Sequence, residues 1–271
     1  MNQVPIADKN EPKKPRRTGH HVLFGFSVLT FVFLYLPIVI LIIYSFNKAR
    51  INAVWQGFTL EWYTMLLQDE SLFASLQNSL LVALISTTLS TLIGTLTAFA
   101  MQRYQFPGKK VMDTVLYMPI IIPDIVMGIS LLSFFVLLRF TLGLGSIIIA
   151  HVAFNISFVT LVVRARLEGY NKSLDEAAMD LGANPFQTFT KITLPIISPG
   201  IISAALIAFT LSFDDYLITS FVAGIGSTTM PIKVYSMMKF GVTPEINALS
   251  TLIMVFSMML VIIAQKLGRN E

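Results

Sequence analysis

Three carboxylates, Asp124, Asp214 and Asp215, lie within long apolar runs of this chain. A charge at bilayer depth is costly and is kept where it faces a pathway or a partner. Pro119, Pro123 and Gly128 flank Asp124. Residues of these kinds break helices, and a broken span with freed carbonyls is a recurring way to build a mid-membrane site. Freed carbonyls beside a carboxylate suit a cation. Tyr117, Phe213 and Tyr216 are the candidate aromatic walls, able to add cation–π attraction, with packing as their competing role. For the aspartates the competing role is pairing, with Arg139 and His151 as the available partners. His151 itself reads as a hydrogen-bonded packing residue. Adjacent helical positions differ by about 100°, so a regular helix could not aim Asp214 and Asp215 at one axis. Either one of them faces a neighbour, or the helix is irregular there.

A second constellation lies between apolar runs, in Arg164–Pro195, which reads as two short helices with their own punctuation. Ser173-Leu174-Asp175-Glu176 has the form of a capping box, with Ser173 as the cap and Glu176 reaching back. Gly182 is the expected left-handed stop. Asn184 caps a second helix with Pro185 at its first position. Phe186, Phe189 and Ile192 follow at helical spacing, and Pro195 closes the segment. The first helix presents Ala177, Ala178 and Leu181 as a low apolar face, with Asp175, Asp180 and Lys172 as a charged rim that fixes register. Small side chains let a partner surface come close. If Glu176 only capped its own helix, the exposed Ala-Ala pair would have no purpose.

The elements that must position these groups are membrane spans. Of 271 residues, 55% are hydrophobic and only 13% charged, against about 25% charged in a soluble domain. Six apolar runs reach the roughly 20 residues a spanning helix needs: Val22–Phe46, Ser75–Met101, Val111–Leu138, Ser146–Val163, Ile197–Val222 and Ala248–Gln265. A spanning segment must satisfy its own backbone, so all six are predicted to be helical. This placement puts Asp124 near the middle of the third span and Asp214 and Asp215 in the outer part of the fifth. With a cytoplasmic N-terminus, fourteen basic residues fall inside and five outside, as the positive-inside rule expects. Both termini are then cytoplasmic.

Residues 1–21 read as a basic, disordered tail whose Lys13-Lys14-Pro15-Arg16-Arg17 run anchors topology and does not bind nucleic acid. Residues 22–265 form the six-helix membrane domain, with 164–196 as its cytoplasmic loop, and 266–271 a second tail. The outer segment Asn47–Ala74 carries Trp55, Phe58, Trp62 and Tyr63, as an interfacial belt or a docking surface. The outer segment Ala223–Asn247 should fold back as a re-entrant or short interfacial helix. The chain has no cysteine, which excludes disulfides and thiolate metal sites, and its 13 methionines read as packing.

The pattern Glu176-Ala177-Ala178, Gly182, then Ile192-x-Leu194-Pro195 resembles the EAA loop of permease subunits of bacterial ABC importers. The resemblance implies an all-α membrane protein with six transmembrane helices and the type I, MetI-like permease fold. It also implies that Glu176, Ala177, Ala178, Asp180, Leu181 and Gly182 form the coupling helix seated in a groove of a separate ATPase. Longer stretches, among them Pro123-Asp124-Ile125-Val126-Met127-Gly128 and Phe209-Thr210-Leu211-Ser212-Phe213-Asp214-Asp215, are similar to spermidine/putrescine permeases of the PotC type.

That family implies polyamine import across the bacterial inner membrane. The implied partners are an ATP-binding-cassette ATPase dimer, a second, PotB-type permease subunit and an extracytoplasmic polyamine-binding protein. Asp124, Asp214 and Asp215, with Tyr117, Phe213 and Tyr216, would then line the pathway of a linear polycation. The chain has no Walker A pattern, since Gly108-Lys109-Lys110 lacks both the second glycine and the hydroxyl residue. It needs no cofactor of its own; ATP and Mg belong to the partner ATPase. No nucleophile–base or metal-ligand set marks it as an enzyme. Two alternatives stay open: the same machine for another organic cation or a metal chelate, and a proton-coupled secondary transporter, which would leave the Glu-Ala-Ala loop unexplained.

Overall fold

Small residues on one long helix decide how the bundle packs. The computed structural model describes residues 17–49, 54–239, 241 and 243–269. Within them α3 (Glu70–Arg103) buries Ser75, Ser79, Ala83, Ser86, Ser90, Gly94 and Ala98 along one face. Such a stripe lets neighbouring backbones come close, which is how helices associate where no water drives them together. A methyl group at Gly94 would sit 2.7 Å from the Val159 side chain. The helix that meets this stripe is α6 (Leu144–Glu168), and α9 (Leu194–Asp214) packs against both. Ala98, Val159, Val163, Ile197, Ala204 and Ala208 form the buried core of this trio.

Around the trio lie α1 (Arg17–Tyr44), α2 (Glu61–Leu66), α4 (Lys109–Ile121), α5 (Asp124–Leu137), α7 (Ser173–Asp180), α8 (Pro185–Thr188), α10 (Leu217–Val222), α11 (Met230–Met238) and α12 (Pro244–Arg269). Among the described residues four helices are long and apolar enough to cross a membrane, and five if α4 and α5 together make one span. The sixth predicted run falls in α12, whose apolar part is described as far as Met259. Residues 1–16 and 270–271 of the two predicted tails lie outside the described residues, whereas 17–21 already belong to α1 and 266–269 to α12.

Two predicted spans are not single helices. Val111–Leu138 divides into α4 and α5, bent by 112°. Pro123 has no N–H and forces the residue before it out of the helical region, and Ile122 indeed sits at φ −71°, ψ 131°. Pro119 is accommodated inside α4, and Gly128 lies within α5, where a methyl group would meet the Phe221 ring at 2.6 Å. Of the three suspected breakers, only Pro123 breaks the span. Ile197–Val222 likewise divides into α9 and α10, parted by Asp215 and Tyr216.

The segment Arg164–Pro195 also departs from expectation at its ends. Ser173 lies inside α7, because Asn171 accepts hydrogen bonds from the Ser173 N–H and hydroxyl at 3.1 and 2.8 Å and opens the helix a residue earlier. Pro195 does not close anything. The helix runs from Pro185 to Asp214, and a π turn at Phe189–Thr193 widens the spiral just ahead of the proline, re-routing carbonyls that the missing N–H would leave unpaired. Gly182 and Asn184 act as predicted. Gly182 has φ 90°, and Asn184 and Gln187 cap each other reciprocally.

At the other end of the bundle Trp62 and Leu66 of α2 are buried with Leu72, Met230, Ala248 and Leu249. The Trp62 indole donates to the Asn47 carbonyl at 2.8 Å, so this tryptophan closes the end of the bundle and is no interfacial belt residue. Trp55 and Phe58 remain exposed. The segment after α10 contains α11, a short helix fixed to α3 by the Met230 N–H donating to Ser79 Oγ at 2.8 Å.

Candidate functional site

The two helix breaks face each other across a cavity of about 420 Å3. Asp124, the first residue of α5, enters from one break. Asp214, Asp215 and Tyr216 enter from the other. Pro119 of α4, Phe154 and Phe158 of α6, Thr210 and Leu211 of α9, and Leu217 and Ile218 of α10 complete the lining.

The neighbouring aspartates have separate roles. The helical path ends at Asp214, and Asp215 turns extended at φ −67°, ψ 121°. Asp215 then caps α10, accepting hydrogen bonds from Ile218 N–H at 3.3 Å, Thr219 N–H at 2.7 Å and the Thr219 hydroxyl at 2.6 Å. His151 Nε2 lies 3.3 Å from the same carboxylate. A side chain able to bond backbone donors a turn ahead competes with helix continuation, which is why the helix stops here. Asp214 is left exposed to the cavity.

Behind Asp215 runs a buried polar chain. His151 Nδ1 meets Ser212 Oγ at 2.7 Å, and Ser212 Oγ meets Ser86 Oγ at 2.8 Å. His151 Nε2 also reaches the Thr219 hydroxyl at 2.9 Å. His151 is therefore a hydrogen-bonded core residue, as its sequence context suggests, and it is His151 that meets Asp215, with Arg139 elsewhere. Ser86 and Ser212 carried no sequence signal separating them from other small span residues. Asp215 did carry one, since Asp-Tyr-Leu-Ile-Thr reads equally well as a helix cap.

The predicted aromatic walls are only partly gathered. Tyr216 lines the cavity, and its ring packs at a tilt of 35° against Tyr235 of α11 with centroids 4.4 Å apart. Phe213 is buried and faces a second, more apolar hollow of about 460 Å3 together with Tyr216, Tyr235 and Met254. Tyr117 lines neither; it sits in a narrow crevice with Ser157, Thr160 and Arg164. Phe154 and Phe158 take the place expected for Tyr117, and nothing but the depth of α6 in the bundle distinguishes them.

The segment around α7, expected to couple to an ATPase, presents a surface of another kind. Glu176, Ala177, Asp180, Leu181 and Gly182 are exposed and Ala178 is half-buried. Leu181 is 90% exposed and Phe186 74%, large apolar side chains held out at a chain corner. Glu176 does not close a capping box and is open to a partner. Asp175 is not part of the rim. It is buried, paired with Arg103, and accepts from the Tyr170 and Thr193 hydroxyls at 2.6 and 2.9 Å. Burial alone would raise this carboxyl, but the bonds from Tyr170, Arg103 and Thr193 outweigh it and hold it below its ordinary value. The Tyr170 hydroxyl is pushed up by burial and then by the Asp175 carboxylate it serves.

Comparison with known proteins follows these features. Residues 90–267 match the family described as "Binding-protein-dependent transport system inner membrane component". The chain is 44% identical over 247 residues to the spermidine/putrescine transport system permease protein PotC of Escherichia coli (strain K12), covering 91% of this chain and 94% of the relative. It is 43% identical over 234 residues to the putrescine transport system permease protein PotI of the same organism, covering 84% and 83%. Among solved structures, a chain of a bacterial ABC transporter involved in the import of the acidic polysaccharide alginate aligns with a TM-score of 0.74 at 18% identity, over 93% of this chain and 94% of that one. That likeness is one of fold, and the cargo named there is an anion.

Proposed function

The chain belongs to the family of binding-protein-dependent transport system inner membrane components, and we propose that it is the permease subunit of an ATP-driven importer carrying spermidine or putrescine into the bacterial cytoplasm. In this reading the chain makes six crossings, with α4 and α5 as one broken span and both termini cytoplasmic. A PotB-type permease completes the pathway, a binding protein delivers cargo outside, and two ATPase subunits receive the α7 corner inside. The chain itself catalyses nothing. It supplies two states of different affinity, between which ATP-driven closure of the partner moves it.

The observation that carries the substrate class is the cavity between the two breaks, where exposed Asp124 and Asp214 come from opposite sides and aromatic rings fill the wall. A linear cation with separated charges and methylene stretches matches carboxylates set apart on an apolar surface. Labelled spermidine and putrescine uptake, in vesicles carrying the complete complex, tests this. ATP-dependent, vanadate-sensitive uptake that falls in Asp214→Asn and Asp124→Asn, with assembly intact, supports the reading. Uptake that persists without the ATPase and follows the proton gradient would replace it with a secondary transporter.

A further inference from the structure

One carboxylate of the cytoplasmic segment is bonded to a residue at or just beyond an end of each of the three core helices. Asp175, on α7, is 1% exposed. It takes the Arg103 guanidinium from the last turn of α3. It accepts from the hydroxyl of Tyr170, just past the end of α6, and from that of Thr193, the last residue of the π turn feeding α9. Arg103 also lies over the Phe99 ring at 5.6 Å, and Phe99 meets Phe189 edge-on at 4.7 Å. The end of α3 therefore holds α7 through Arg103 and the π turn through Phe99, closing a ring of contacts. Separating α7 from α3 would strand a buried charge, a cost that keeps the two moving together.

We propose that Asp175 is the joint through which displacement of α7 reaches α3, α6 and α9, so that it sets how much cargo moves per ATP hydrolysed. The proposal rests on the importer reading above. It makes Asp175 a positioning residue: the face that meets the ATPase is the exposed Glu176–Leu181 corner, and Asp175 points the other way, into the bundle. A linkage of this kind needs stiffness at one buried point and leaves the outward face free to fit its partner.

The test uses the full complex in proteoliposomes, with ATP hydrolysis and labelled spermidine uptake measured on the same sample. Asp175→Asn keeps the size of the side chain, and its amide oxygen can still accept from Tyr170 and Thr193, but it turns an N–H toward Arg103. Tyr170→Phe removes a single donor and disturbs less. The expected result for Asp175→Asn is hydrolysis within about twofold of the parent and uptake per ATP lowered about tenfold. For Tyr170→Phe the ratio falls about threefold. Hydrolysis and uptake falling together, with the ratio unchanged in both variants, would overturn the joint. Should Asp175→Asn not assemble with the ATPase, Tyr170→Phe and Thr193→Val decide, and an unchanged ratio in both has the same consequence. A parent complex without ATP-dependent uptake removes the importer reading instead, an outcome distinct from any of these.

Discussion

Asp175 and Asp215 are both withdrawn from water, at 1% and 10% side-chain exposure, yet they are satisfied in different ways. Asp175 at the cytoplasmic end is met by an arginine and by hydroxyls from two other segments of the chain. Asp215, deeper in the bundle, is met chiefly by the N–H groups and hydroxyl of the helix it begins, with an imidazole beside it. The first arrangement ties together distant parts of the chain and carries a fixed counter-charge. The second is local: it stops one helix, starts the next, and in doing so leaves Asp214 facing the cavity. Asp215 also borders the cavity, but much of its hydrogen-bonding capacity is taken by its own chain. Sequence adjacency of Asp214 and Asp215 therefore conceals two placements, one open to the cavity and one tied into the helix break.

The largest effect that would test the contrast is removal of the fixed charge. Arg103→Met leaves Asp175 buried without a cation and should cost the complex about 3–5 kcal/mol, read as a lowered melting temperature in detergent. Adding Asp175→Asn to that variant should recover most of the loss; no recovery would mean Arg103 acts mainly through its stacking on Phe99. Next in size is Asp214→Asn, expected to lower polyamine uptake by about 10- to 100-fold, as loss of a charge-assisted hydrogen bond does, with assembly unchanged. Asp215→Ala should behave in the opposite sense. Loss of the α10 cap costs about 1–2 kcal/mol in melting measurements, and any fall in uptake should follow the fall in assembled complex. Equal effects of both substitutions on uptake per assembled complex would erase the distinction drawn between them.

The smallest expected effect is one of pH. The fold favours the ionised form of Asp175, so its native value lies below the ordinary carboxylate range. Its contribution is complete above that range, about 3.9, and is lost only as pH falls through the depressed native value. Assembly with the ATPase should thus be flat from about pH 8 to about pH 6 and weaken only in strong acid. A marked drop within the neutral range would place a different titrating group at this joint.

Much of this could be read from residue types. Apolar run lengths located the long helices, and Asn184-Pro185 and Gly182 punctuated the coupling segment as their backbone preferences require. What could not be read was anything set by a neighbour distant in sequence. Asp175 looks like a surface charge until Arg103, 72 residues away, is brought against it. Tyr117 is as aromatic as Phe158, and only the packing of α4 on α6 decides which of them lines the cavity. Pro195 was taken as a stop because proline in an α-helix removes a donor, but a π turn supplies another partner scheme that residue type does not announce.

That turn has a consequence for how the coupling segment can vary. From Pro185 to Asp214 the chain follows one continuous helix, so the exposed corner proposed to meet an ATPase and the carboxylate that faces the cavity sit at opposite ends of a single rod. A π turn accommodates one extra residue, so a deletion between Phe189 and Thr193 would return it to ordinary α-helix with its flanks near register. A deletion within α9 would instead rotate one end against the other by about 100°. Either Phe189 would leave Phe99, or Asp214 would turn away from the cavity. Along α9 the count of residues is therefore itself a functional quantity, because it sets which face each end presents.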